Sequence, residues 1–230
     1  MPVFFDVDDT LLDHHRAAKE GARMLYRRHA DRLAVGLAED EFLARWHQAA
    51  ERHFAAYAAG ECSYQEQRRR RIRDLFGAEL SDEEADALFA VFLAEYERGW
   101  TLFPDVLPCL DALQGETLGV ISNNATSATV NKLRATGIAG RFAVIMTVDL
   151  AGVGKPDPAI FLAACAQTGA SPSQCVYVGD KYDTDALAAQ QAGLIGVWLD
   201  RHGEHTTKTP TLPAIRSLRE LPALVRNRQP

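Results

Sequence analysis

A chain of 230 residues with 47% hydrophobic and 24% charged side chains has the material for one large or two modest globular domains. Its 25 Lys and Arg against 31 Asp and Glu leave a net charge of −6, which argues against a broad electrostatic grip on nucleic acid or acidic membranes. The four cysteines, Cys62, Cys109, Cys165 and Cys175, stand far apart with no C-x-x-C pair, so zinc and redox motifs lack support and free thiols are expected.

No stretch approaches the length of a membrane span, and the chain reaches Asp6 too early for a signal peptide, so a cytoplasmic location is expected. Val3, Phe4 and Phe5 read as a short buried strand, after which Asp6, Asp8 and Thr10 fall at alternate positions. Alternate residues at a strand end face one side, so both carboxylates and the hydroxyl are expected together. Like charges this close repel by energies on the kcal/mol scale unless a cation lies between them, and Mg2+, a hard ion that takes oxygen ligands, is the natural partner. The competing reading is a polar strand-to-turn junction in which an aspartate caps the next helix.

From about His14 to about Gly99 the sequence reads as helices separated by turn signals at Gly36, Gly60 and Gly77. Phe42, Trp46, Ala49, Ala50, His53, Phe54 and Tyr57 recur at helical spacing as a core stripe. Ser81 to Glu84 is a capping box, and Leu88, Phe89, Phe92 and Tyr96 follow as a buried face, so this part is a small helical bundle. Between these two helices runs Arg68-Arg69-Arg70-Arg71 with Arg73, beside an apolar set of Ile72, Leu75 and Phe76. At about 3.6 residues per turn the arginines cannot all face one way. Most are expected to be solvated or paired with acids such as Glu66 and Asp74.

After Trp100 the rhythm becomes strand, loop, helix. Thr117 to Ile121 is a strand that ends in Ser122-Asn123-Asn124, with a helix following to about Gly137. Phe142 to Thr147 is a strand, Pro158 to about Gly169 a helix, and Cys175 to Val178 a strand that runs into Gly179-Asp180. A helix after Asp183 ends near Gly193, Ile195 to Leu199 makes a last strand, and a short helix is expected near Pro213 to Arg226. Strands alternating with helices mean an α/β fold with a parallel sheet covered on both faces. Val3 to Phe5 is too short to stand alone and must join that sheet. The expected division is therefore a core of residues 1–13 and 101–230 with a helical domain, 14–100, inserted after the first strand.

Four strand ends then converge on one chemistry. Asp6-x-Asp8-x-Thr10, Ser122-Asn123, Lys155 before Pro156, and Gly179-Asp180 with Asp185 would all lie at the carboxyl edge of the sheet, where open α/β folds bind ligands. Each alone is weak, since a lysine before proline such as Lys155 is usually a solvated loop lysine and Ser122-Asn123 is a good helix-entry cap. Together they form the set that phosphoryl transfer needs: a nucleophile pair, a hydroxyl and an ammonium for anionic oxygens, and a third carboxylate to complete a metal site.

This ordered set resembles the haloacid dehalogenase superfamily over essentially the whole chain. Asp6 to Thr10 resembles its first motif, Ser122 its second, Lys155 its third, and Gly179-Asp180 with Asp185 its fourth, while the helical insertion resembles the cap of its type I branch. The resemblance implies a Rossmann-like core and a mobile lid. It implies that Asp6 attacks phosphorus to form an aspartyl-phosphate, and that Asp8 protonates the leaving alcohol and then deprotonates water. On this reading Mg2+ is held by Asp6, the Asp8 backbone carbonyl and Asp180, with Thr10, Ser122, Asn123 and Lys155 on the phosphate oxygens. Asp185 is expected to orient Lys155 or a metal-bound water. The superfamily's dehalogenases lack the second acid, present here as Asp8, and its hexose phosphomutases usually show Gly and an apolar residue where this chain has Asp9 and Thr10. Both observations favour a phosphatase acting on a small phosphorylated metabolite as a monomer or homodimer. A phosphomutase, a 2-haloacid dehalogenase or a non-catalytic binding protein on the same fold are the alternatives. In a phosphatase, one or two arginines of the 68–71 run would contact an anionic part of the substrate distant from the reacting phosphate.

Overall fold

The computed structural model describes residues 1–203 and 212–227; the rest of the Pro- and Thr-containing tail, 204–211 and 228–230, lies outside the described residues. The chain separates into two compact units, Met1–Asp13 with Thr101–Pro230, and His14–Trp100. Strand β1 (Pro2–Phe5) begins the first unit, and four α-helices make up most of the second: α1 (His14–His29), α2 (Glu39–Ala58), α3 (Tyr64–Phe76) and α4 (Asp82–Arg98). From Thr101 the first unit resumes with α5 (Val106–Ala112), β2 (Thr117–Ser122), α6 (Thr126–Ala135), β3 (Val144–Thr147), α7 (Val148–Ala151) and α8 (Pro158–Thr168). Then come β4 (Val176–Gly179), a π-helical turn (Tyr182–Leu187) running into α9 (Ala188–Gln191), β5 (Ile195–Leu199), β6 (Ala214–Ile215) and α10 (Leu221–Arg226).

The six strands form one parallel sheet in the order β3-β2-β1-β4-β5-β6. Parallel strands are covered on both faces, and β1 shows it: Val3, Phe4 and Phe5 are all fully buried between Leu118 to Val120 on one side and Val176 to Val178 on the other. Phe4, Ile121, Phe161 and Tyr177 share one core layer, with Tyr177 set edge-on against Phe161. The chain lays β2 and β3 on one side of β1 and then crosses to build β4, β5 and β6 on the other. Strand order thus reverses at β1, and the crevice beyond its carboxyl end is the natural ligand position of such a sheet.

The tail differs from the sequence reading. A helix was expected from Pro213, but Ala214 and Ile215 pair with Trp198 and Leu199 as a sixth strand, and the helix begins only at Leu221. A two-residue strand carries no periodicity to read. No helix of the described residues is long and apolar enough to cross a membrane.

The helical unit packs a core that includes Leu25, Phe42, Trp46, Ile72, Phe76, Leu88, Phe89 and Phe92. Both ends of the capping box are made: the Ser81 hydroxyl accepts from Glu84 N–H at 3.2 Å, and the Glu84 carboxylate accepts from Ser81 N–H at 2.9 Å. Asp74, expected to pair with the arginine run, instead binds Arg52 and His53 of α2. Helices α1 and α4 approach closely where Gly21 faces Phe92, and a Cβ at position 21 would lie 2.9 Å from the Phe92 carbonyl oxygen and from its ring.

Helix propensity alone would make Gly21→Ala stabilising by about 1 kcal/mol. Overpacking against backbone costs about 1–3 kcal/mol and should win. Thermal unfolding of Gly21→Ala is expected at a lower temperature than that of the parent chain; a higher one would show that α1 and α4 slide apart freely.

Candidate active site

The carboxyl edge of the sheet carries the polar residues. Asp6 extends β1, its N–H donating to Val178 O at 2.9 Å. A tight loop follows in which Leu11 and Leu12 N–H both donate to Val7 O, and Asp9 sits at φ 59°, a left-handed conformation that aspartate tolerates better than most residues. That loop presents Asp8 and Thr10. Arg201 holds it from behind, donating to Thr10 O at 2.7 Å while its guanidinium pairs with Asp105 and lies 4.0 Å from the Phe103 ring centre.

Lys155 is the centre of the cluster. Its buried Nζ donates to Asp6 Oδ1 at 2.6 Å, Asp185 Oδ1 at 2.6 Å and Tyr177 Oη at 2.7 Å. Asp185 lies in the π-helical turn, a distortion common at functional sites, and its Oδ2 accepts from Lys181 N–H at 3.0 Å. The turn comes so close to β4 that a Cβ on Gly179 would stand 2.5 Å from the Asp185 carboxyl carbon, so glycine is required there for this approach.

One oxygen from each of Asp6, Asp180 and Asp185 lies within 4.8 Å of the others. Burial first, then the neighbouring carboxylates, push Asp6 up to about 8 and Asp180 up to about 7, although Lys155 opposes the rise in both. Burial works against the Lys155 charge, but Asp185 and Asp6 outweigh it and hold the ammonium above the ordinary lysine range. Three carboxylates against one ammonium leave a deficit of two positive charges when all are ionised. Hard oxygen donors with that charge balance fit a divalent cation such as Mg2+.

The remaining predicted residues have other partners. Thr10 Oγ1 donates to Asp180 Oδ1 at 3.1 Å, so it orients an acid of the cluster. Ser122 Oγ accepts from Asn124 N–H at 3.1 Å. Asn123, expected on a phosphate oxygen, also grips the lysine loop: Nδ2 donates to Lys155 O at 2.8 Å, and Oδ1 accepts from Lys155 N–H at 2.6 Å. Its amide nitrogen carries a second N–H, so setting the lysine loop and reaching an anion are compatible tasks for this side chain. Asp8 has both carboxylate oxygens 2.6 Å from Lys132 Nζ and accepts from Asn124 Nδ2 at 3.2 Å.

Sequence reasoning missed Lys132, Asn124 and Tyr177. Lys132 is a single lysine inside α6, a pattern that normally means a solvated side chain, and here it is 1% exposed. Tyr177 is hidden in an apolar strand and is distinguishable from core only by its hydroxyl. Asn124 follows the named pair directly, and a polar run at a strand end was the signal available for it.

A family model described as haloacid dehalogenase-like hydrolase matches residues 3–193. A glyceraldehyde 3-phosphate phosphatase from Methanopyrus kandleri is 30% identical, with the match covering 90% of this chain and 87% of that protein. Among solved structures, a 2-haloacid dehalogenase from Pseudomonas syringae is similar at 29% identity and a TM-score of 0.73, covering 98% of each chain. A magnesium-bound HAD-hydrolase from Bacillus subtilis matches in fold, with a TM-score of 0.80, 23% identity and 98% of each chain covered.

The raised carboxyls fix the sign of a pH effect. A carboxyl held above its ordinary value near 4 binds more protons folded than unfolded, so stability falls as pH rises from about 4 through the folded-state values of about 7 and about 8. In chelator-treated protein the melting temperature should drop over that interval. Mg2+ should raise it most at the alkaline end, where the acids are ionised. A melting temperature that ignores Mg2+ across the whole range would remove the acid cluster as a cation site.

Proposed function

The chain belongs to the haloacid dehalogenase-like hydrolases, and we propose that it acts as a Mg2+-dependent phosphatase on a small phosphomonoester, through an aspartyl-phosphate on Asp6. The observation that carries this reading is the second acid: Asp8 stands two residues after the nucleophile candidate and is held by Lys132 and Asn124. Displacing halide from carbon needs no proton donor, whereas expelling an alkoxide from phosphorus does.

The geometry supports the following roles. Lys155 engages Asp6 Oδ1, and no side chain among the described residues bonds Oδ2, which is the oxygen left to attack phosphorus. The Lys155 ammonium offsets the repulsion between that carboxylate and an anionic phosphate. Asp6, Asp180 and the Asp8 carbonyl would hold Mg2+, with Thr10 orienting Asp180. When bound, the ion supplies the positive charge the cluster lacks and polarises the phosphoryl group. Ser122 and the backbone N–H groups that follow β2 would receive the remaining phosphate oxygens. Asp8 gives its proton to the leaving oxygen, and the carboxylate so formed then takes one from the water that opens the aspartyl-phosphate. Lys132 and Asn124 orient the ionised carboxylate for the second of these tasks, and the acid step needs Asp8 to turn from Lys132 first. Asp185 and Tyr177 keep the lysine in place.

Hydrolysis of p-nitrophenyl phosphate should require Mg2+ and should vanish in Asp6→Asn, because an amide is a poor nucleophile. Asp8→Asn should slow an alkyl phosphate by on the order of a hundredfold or more, while the activated aryl ester, which needs no proton, loses far less. Equal losses on both esters would deny Asp8 its acid role.

A further inference from the structure

The basic run of α3 is sorted by the helix into two faces. On one face every arginine has an acid: Arg69 binds Asp82 and Asp86, Arg70 binds Glu66 at 3.0 Å, and Arg73 binds Asp82 at 2.5 Å. Arg68 and Arg71, three residues apart on the other face, meet no carboxylate among the described residues and lie on aromatic rings instead. The Arg71 guanidinium is 4.5 Å from the Trp46 ring centre, 5.3 Å from Phe92 and 5.4 Å from Phe89, and Arg68 lies 4.3 Å over Tyr64.

Arg71 is only 9% exposed. A buried guanidinium normally brings its counter-ion with it, because desolvation is costly and stacking on rings returns only part of that cost. Here its Nε has no hydrogen-bond partner, and two neighbours in the same core are also unsatisfied: the Trp46 indole N–H, a donor, and Gln67 Oε1, an acceptor one helical turn before Arg71. Burial, with Arg68 adding to it, lowers Arg71 to about 10, which still leaves it a full cation at neutral pH. A planar cation on an aromatic floor, with no acid and idle donors around it, has the form of an anion receptor.

We propose that the helical unit binds the carboxylate of a small metabolite at Arg71, with Arg68 as a second positive charge and Gln67 accepting from a hydroxyl or amine of the same ligand. A flat guanidinium matches a carboxylate edge-on through two parallel N–H donors, and the unpartnered Arg71 Nε–H belongs to one such edge. The receptor lies wholly within the helical unit and stands apart from the phosphatase reading.

The test uses the full chain and the arginine Nε–H signals of its proton–nitrogen correlation spectrum. Three aromatic rings should displace the Arg71 signal from the other arginines, and Arg71→Met identifies it by deletion. Titration with malonate should move that signal saturably, and calorimetry should show the affinity falling by about tenfold or more in Arg71→Met, with Arg71→Lys in between because it keeps the charge without the fork. The melting temperature of Arg71→Met should not fall, since the substitution removes an unpaired buried charge. A signal that malonate leaves unmoved, or an Arg71→Met variant that melts several degrees lower and binds malonate as before, would make Arg71 a structural cation and overturn the proposal. Inorganic phosphate moving the signal at lower concentration than malonate would overturn the carboxylate assignment.

Discussion

One buried ammonium makes the acidic cluster possible. Asp6 and Asp185 lie side by side in the protein interior, and Lys155 stands between them at 2.6 Å from both, offsetting part of the rise that burial and the neighbouring acids give Asp6. The same lysine is fixed by the Tyr177 hydroxyl from within the core and by Asn123, which grips its backbone on both sides of the chain direction. A long side chain with many rotamers is thereby reduced to one position. Without that fixation the acids would sit in a looser arrangement, and the charge deficit that suits a divalent cation would be spread rather than focused at one point.

The sheet was legible because its strands are buried on both faces and therefore appear as unbroken apolar runs, such as Val176-Tyr177-Val178 and Ile195 to Leu199. Its sixth strand was not, because Ala214 and Ile215 have neither length nor alternation. Acids that directly follow strands announce themselves, and the structure brings Asp6, Asp180 and Asp185 within reach of one ion. Contacts between distant segments leave no such trace. The partners of Asp8 lie 116 and 124 residues away; the polar run after β2 hints at Asn124, but nothing in the local pattern around Lys132 marks it out. Asn123 shows the complementary case: its residue type and place suggested an anion ligand, and nothing in its local pattern showed that its amide also grips the backbone of a neighbouring loop.

The helical unit teaches a similar lesson about charge. Five arginines within six positions look like one basic feature in the sequence, yet the helix divides them by about 100° per residue into a paired face and an aromatic face. On the paired face the ion pairs are half-exposed, and surface pairs of this kind contribute little individually. On the aromatic face the same residue type sits in a setting where charge is expensive and must have a purpose or a cost.

Gly179 and Asp185 form a sterically coupled pair. The carboxyl carbon of one occupies the space where any side chain on the other would begin. A substitution at 179 can therefore be accepted only after residue 185 has shrunk or turned away, which also releases Lys155.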